Sequence, residues 1–355
     1  MGTPISGRET IIGAVKGSVW GTPVAAGANH GLLVLTSGLS REFEVLEDLS
    51  LGSAWELDPQ RGKLSGGGDL TGWLRYDNNE WLLIALLMGT AGVPAATTDA
   101  SAKLHTLQLA DGIAGKFATI AQKMKSDEVW EFPSVKPVSM RLVGGKREPI
   151  AYTIGCVASH LNRNAGSGTN NTTTIATITQ RETLRRIVPD EAAYVRINDQ
   201  AAIALAAGDA HPLSHFELVF TRPQEGDHVL DGNVFVTEPI GTAHAMPTDL
   251  QVVFPVYEDK ADALLDKFEA DTPQKIEIFA QGPIIGGTER YRITIQMPQA
   301  VMVGKPDLAI TGPGKLACTL RYKLTKAAAA PAGMTGVTNP FAILLVNKRT
   351  TDILA

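Results

Sequence analysis

Few residues of this sequence are spaced for chemistry, and each candidate has an ordinary explanation beside it. His211 and His215 in "HPLSH" stand four apart, the interval of two metal ligands on one helix face. Pro212 between them and the lack of a third nearby ligand make them surface-loop histidines instead. "TGPGKLA" (Thr311 to Ala317) joins Gly to Lys as a phosphate-cradling loop does. The Gly-x-x-x-x-Gly-Lys-Ser/Thr spacing is missing, however, and Leu316 stands where the hydroxyl belongs, so the stretch reads as a turn before a strand. Cys156 and Cys318, the 2 cysteines, cannot build a disulfide framework and read as small core side chains. There is no His-Glu-x-x-His, Cys-x-x-Cys or Gly-x-Ser-x-Gly, and the acids are scattered rather than paired. No catalytic, cofactor-binding or metal-binding residue is therefore assigned, no cofactor is expected, and the chain reads as a non-enzyme.

The elements that would have to position such residues are those of a mainly β protein. With 355 residues, 44% hydrophobic and 19% charged, the chain can bury two cores; its 35 Gly and 20 Pro favour many short strands over long helices. A formal net charge of −5 argues against a general nucleic-acid binder but allows a surface that phosphate passes without sticking. The opening Met-Gly-Thr-Pro-Ile lacks the basic and apolar regions of a secretory leader, and the most apolar run, Trp81 to Met88, is too short for a membrane span. Folding in a reducing cytoplasm is the expectation, and the glycosylation patterns at Asn170 and Asn171 read as chance.

Residues 1–30 read as an irregular lead-in, and Asp58 to Gly68 ("DPQRGKLSGGG") as a mobile loop. Strands are expected at Leu32 to Leu35, Phe43 to Leu46, Leu70 to Tyr76, Lys103 to Leu109, Lys116 to Ile120, Val129 to Phe132, Val138 to Val143 and Ile150 to Ser159. Asn162 to Thr174 reads as a linker. Beyond it strands are expected at Tyr194 to Ile197, Phe216 to Phe220, Val229 to Val236, Leu250 to Val256, Lys275 to Phe279, Tyr291 to Gln296, Ala300 to Val303, Leu316 to Leu324 and Phe341 to Val346, with Lys326 to Met334 a linker or arm. Two helices stand out: about Asp77 to Met88, apolar all round and hence buried, and about Glu258 to Ala270, with Ala261, Leu264, Leu265 and Phe268 in one stripe.

These two helices belong to a repeated pattern. "DLTGWLRYDNNEWLLIALLMGT" from Asp69 and "DLQVVFPVYEDKADALLDKFEADT" from Asp249 both run from Asp-Leu through a strand and a Tyr into a helix. With Tyr76 set on Tyr257, Leu83 meets Leu264, Ile84 meets Leu265 and Leu87 meets Phe268. The alternatives are a tandem duplication, with domains at 1–175 and 176–355, or two β domains that share a strand-helix-strand order by chance.

The ordered set of segments resembles the tail tube (major tail) proteins of long-tailed bacteriophages. The resemblance is carried by "GRETIIGAVKGSVWGTPVAAG" (Gly7 to Gly27), "GDLTGWLRYDNNEWLLIALLMG", "VKPVSMRLVGGKREPIAYTIGCVA" (Val135 to Ala158), "GTERYRITIQMPQAVMVG" (Gly287 to Gly304) and "PFAILLVN" (Pro340 to Asn347). It spans nearly the whole chain, though no single motif is specific. It implies two tandem β-sandwich or barrel domains, each flanked by one α-helix, in a structural virion protein that self-assembles into stacked rings. The resulting tail tube delivers DNA into the host. A duplicated member would close a pseudo-hexameric homotrimer ring; the alternative is six chains. Implied partners are further copies of the chain, the tape measure protein, the tail terminator and the distal tail or baseplate proteins. Genomic DNA would pass an acidic lumen without specific binding, no membrane would be involved, and assembly would take place in the host cytoplasm. Stacking contacts are expected from the Asp58 to Gly68 loop, from Pro223 to Met246 and from the chain ends. A tail terminator or baseplate hub protein of related fold, and a β-sandwich binding module, are the alternative readings.

Overall fold

The computed structural model describes residues 6–47, 60–90, 93–125, 128–163, 172–181, 185–188, 192–229, 235–241, 248–304, 306–308 and 314–354. In the first half the strands are β1 (Ile12–Lys16), β2 (Thr36–Ser37), β3 (Ser40–Leu46), β4 (Gln60–Trp73), β5 (Gly89–Thr90), β6 (Ala95–Ala96), β7 (Lys103–Leu109), β8 (Ala118–Lys123), β9 (Val129–Gly145), β10 (Ala151–Ala158) and β11 (Asn162–Arg163). The second half holds β12 (Ala192–Asp199), β13 (Ala210–His211), β14 (His215–Thr221), β15 (Gln224–Glu225), β16 (Ile240–Gly241), β17 (Thr248–Phe254), β18 (Gln274–Gly286), β19 (Glu289–Met302), β20 (Cys318–Leu324) and β21 (Ala342–Asn347). Helix α1 (Glu80–Met88) follows β4, and α2 (Asp259–Glu269) follows β17. The fold is mainly β, built on one large antiparallel sheet system.

Strand order repeats between the halves. In the first, neighbours run β1–β8–β9–β10–β4–β3, all antiparallel. In the second they run β12–β18–β19–β20–β17–β14, again all antiparallel. Register repeats too. Asp69 faces Gly155 and Leu70 faces Ile154; Asp249 faces Lys323 and Leu250 faces Tyr322. The reason lies in the alternation along these strands. Leu70, Gly72 and Leu74, like Leu250, Val252 and Phe254, point to the core, and the residues between them point to solvent. A one-residue slip would turn every one of those side chains over, so the pattern fixes the pairing.

The helices differ more than their matched spacing implies. All nine residues of α1 are buried, as an all-apolar helix requires, and the left-handed Gly89 ends it by returning its N–H to the Ala85 carbonyl at the cap. On α2 only Ala261 and Leu264 are buried, while Leu265 and Phe268 are partly covered. Helix α1 begins at Glu80 rather than Asp77. Asn79 does not cap it; its side-chain amide donates instead to the carbonyls of Ala14 and His30, the latter at 3.0 Å.

Several expected boundaries are corrected. Residues 12–16 are no loose lead-in: β1 pairs with β8 and places Ile12 and Ala14 in the core. From Gln60 the expected mobile loop is the first part of β4, pairing with β3 and then β10, while Asp58 and Pro59 lie outside the described residues. Its glycines report close approach rather than mobility. A Cβ on Gly68 would stand 2.1 Å from the Gly38 carbonyl oxygen, and φ there is +137°. Lys63–Gly67 is therefore part of the sheet rather than a loop.

Val129 to Phe132 and Val138 to Val143 are one continuous strand despite Pro133 and Pro137, because β9 changes its pairing along its length. β18 and β19 are likewise longer than expected, and Ala300 to Val303 is the end of β19 rather than a separate strand. Leu32 to Leu35 forms no strand; the paired residues are Thr36 and Ser37. Val229 and Val236 lie in no strand, and residues 230–234 fall outside the described chain, as do 164–171 of the expected linker and 242–247 of the Pro223 to Met246 segment. Lys326 to Met334 is no free arm, since Ala327 and Met334 are buried and Met334 packs with Val337 and Ala342.

Candidate assembly interface

Exposed alternating strands carry unsatisfied N–H and C=O groups along any unpaired edge, so the edges are where this fold can act. The two halves meet along one such edge. The side of β14 away from β17 pairs with the C-terminal part of β9: Phe216 faces Gly144, Leu218 faces Leu142, Phe220 faces Met140 and Thr221 faces Ser139. The Phe216 ring lies where a Cβ on Gly144 would be, so the glycine admits the ring. This ladder fuses eight strands into one sheet, in the order β3–β4–β10–β9–β14–β17–β20–β19.

One face of that sheet is core and the other faces solvent. Between β4 and β20 the charged residues at solvent-side ladder positions are Asp69, Arg141, Glu217, Asp249, Arg321 and Lys323, so signs balance there. Two acid–base pairs stand side by side among them. Arg141 crosses the seam between halves, donating from Nε and Nη2 to the two Glu217 oxygens at 2.6 and 2.9 Å. Those hydrogen bonds hold the Glu217 carboxyl below the usual range. Asp249 stands directly opposite Lys323.

The seam is also tied around the start of α1. The Asn347 side chain from β21 donates to the Tyr76 carbonyl at 3.0 Å, and the rings of Tyr76 and Tyr291 lie 5.3 Å apart. β21 itself bridges β19 and β7. Glu80 is fully buried here; its Oε1 accepts from the Arg75 N–H at 2.7 Å. Burial pushes its pKa up to about 8, against the smaller opposing pull of backbone hydrogen bonds and of Arg75.

The residues first weighed for chemistry are scattered. His211 ends β13 and His215 begins β14, so both sit on strands rather than in a surface loop, and the His211 ring lies 3.3 Å from the Ile197 carbonyl. Together with Phe216, Tyr194 and Phe279 they line a shallow pocket beside the β9–β14 seam. Cys156 and Cys318 are both buried, and burial raises both thiols. Gly314 to Ala317 leads into β20 without helix, while Thr311 to Pro313 lie outside the described residues. Among the described residues no group of three or more His, Cys, Asp and Glu is placed to hold a metal ion, and no helix is long and apolar enough to cross a membrane. The pairing of β9 with β14 was not visible in the sequence. Its signal was the alternation in Ser139–Gly145 and His215–Thr221, which specifies a half-buried strand but not its second neighbour.

No curated protein gives a significant match to this chain. Residues 7–325, however, match the family described as phage tail tube protein. That span covers both halves, both helices and the whole eight-strand sheet, so the chain belongs to the phage tail tube family and is a structural component of a virion tail.

Proposed function

We propose that this chain is a duplicated tube subunit, in which residues 1–175 and 176–355 are two copies of one domain, and that three chains close into a pseudo-sixfold ring. The rings stack into the conduit through which phage DNA leaves. The observation that carries this reading is the β9–β14 ladder. It joins two units of the same strand order edge to edge, which is how a subunit-to-subunit joint would look if both subunits were on one chain. Three chains of eight strands give a closed sheet of 24. At a strand spacing of ~4.8 Å and a tilt of ~35–45°, such a barrel has a backbone diameter of about 45–50 Å, wide enough to pass a DNA duplex. Closure also removes the free edges, which is the physical reason for a ring. The solvent face of the sheet would line the lumen, and between β4 and β20 its acids and bases balance, so it carries no cationic excess there to grip phosphate.

Symmetry is not complete. β21 pairs with β7 across the seam, and among the described residues the second half has no strand in the place of β7. A three-chain ring should therefore show threefold, not sixfold, features outside the inner sheet. Two-dimensional class averages of purified rings test this directly: threefold rings containing three chains are the expected result, and rings of six chains would overturn the duplication reading while leaving the tube family intact.

A further inference from the structure

The joint inside the chain specifies the joint between chains. Both outer edges of the eight-strand sheet lack a backbone partner among the described residues: the side of β2 and β3 away from β4, and Val301–Gly304 on the side away from β20. These are the positions that the internal ladder occupies in the other copy. Ser37 faces Leu70 on β4, and Leu218 faces Leu250 on β17, so Ser37 is the counterpart of Leu218. Counting along the strand makes Leu39 the counterpart of Phe220 and Ser40 that of Thr221. On the other edge, Ser139 and Val301 occupy matching places. Ser139 faces Gly155, which faces Asp69; Val301 faces Lys323, which faces Asp249. Met302 then corresponds to Met140 and Gly304 to Leu142.

We infer that the β2–β3 edge of one chain pairs antiparallel with the end of β19 in a second copy. Ser40 then faces Val301 of the partner subunit, Leu39 faces Met302 of the partner subunit, and Ser37 faces Gly304 of the partner subunit. The occupant is a second copy because the chain already carries this joint once, with the register given by β14 on β9. Exposure agrees with it. Leu35 sits at the place of Phe216, yet it is 58% exposed where Phe216, covered at the internal joint, is 7% exposed. Val303 on the facing edge is also exposed at 37%. The two edges are different surfaces, so the contact is heterologous and head-to-tail, the kind that closes into rings.

This inference rests on the ring reading above, and its test separates the two. Ser40→Cys and Val301→Cys are made as two single variants, each checked for wild-type thermal unfolding, then mixed before assembly and mildly oxidised. Antiparallel partners directly opposite place their Cβ atoms within disulfide reach, whereas a register error of three residues does not. The expected result is a covalent dimer of the two variants, at least about tenfold more abundant than with Ser40→Cys mixed with Gly304→Cys. Neither variant alone should give it, and the buried Cys156 and Cys318 should stay unreacted. Rings that form without this cross-link overturn the register and leave the tube reading standing. Absence of both rings and cross-link overturns the two together.

Discussion

At the scale of single residues the most consequential group is Glu80, a carboxyl in the core beside the joint between halves. Its pKa is raised to about 8 by burial, while an unfolded glutamate titrates near its ordinary value of 4.5. Between those values the unfolded chain has released the proton and the folded chain still holds it, so stability falls as pH rises from about 4.5 to about 8 and levels off above. The Glu80→Gln variant keeps the acceptor for the Arg75 N–H and cannot ionise. It should flatten this slope and, at pH 8, exceed the wild type by about 1–3 kcal/mol in urea unfolding, against little difference at pH 5. An unchanged slope would mean that Glu80 is hydrated in solution. This site was half legible in the sequence. A Glu ahead of an all-apolar run reads as a favourable first-turn acid, which assumes solvent. The turn is held from opposite ends of the chain, Asn79 donating to the Ala14 carbonyl of β1 and Asn347 of β21 donating to the Tyr76 carbonyl, and no local pattern records such contacts. The glycines of β4 misled for a related reason. Three in a row signal a loop when neighbours are unknown, and here they mark strands packed too closely for a Cβ.

At the scale of elements, the two helices test how far matched spacing implies matched roles. Leu83 and Leu264 occupy the same place after Tyr76 and Tyr257, and both are buried, at 0% and 5% exposure. Yet Leu83 sits in a helix enclosed on every side, whereas α2 exposes most of its outer face and can tilt to let water in. A carboxylate forced into an enclosed apolar site costs several kcal/mol, and less where the site can open. Leu83→Asp should therefore lose about 4 kcal/mol or more and yield no soluble folded chain, while Leu264→Asp should lose about 2–3 kcal/mol and remain folded at low temperature. Circular dichroism and thermal melts of the two purified variants decide it; equal losses would show that α2 is held as rigidly as α1. Strands were more legible than helix environments. Period-two alternation located most of the inner-sheet strands, including β14, β17 and β20, nearly to the residue. What it could not supply was the neighbour across each edge, because alternation reports which face is buried and says nothing of which strand lies alongside. The join of β9 to β14, on which the assembly reading depends, is information of that second kind.

At the scale of the whole molecule the question is how a sheet proposed to line a DNA conduit would avoid holding DNA. The net charge of −5 invites the expectation of an acidic wall, but on the solvent side, from the β4–β10 ladder to the β17–β20 ladder, three acids and three bases balance. Neutralisation by cross-strand neighbours serves the same end. A guanidinium already bidentate to a carboxylate, as Arg141 is to Glu217, releases no counterions from phosphate unless that pair first breaks. Cations added to this face should therefore change behaviour sharply. Thr153 points to the solvent side, and among the described residues no carboxylate stands directly opposite it: it faces Thr71 on one side and Arg141 on the other. The variant Thr153→Lys adds three positive charges to a three-chain ring. Wild-type tubes should bind a linear duplex weakly and with little salt dependence. Variant tubes should bind it at low salt and lose it as salt rises, the logarithm of affinity falling with a slope of about −0.9 per phosphate contacted. Filter binding across a salt series, with tube length checked by negative stain, reads this out. If the variant tubes assemble normally and bind no better than wild type, the solvent face of the sheet is not the wall that DNA meets, and the assignment of this face to the lumen fails.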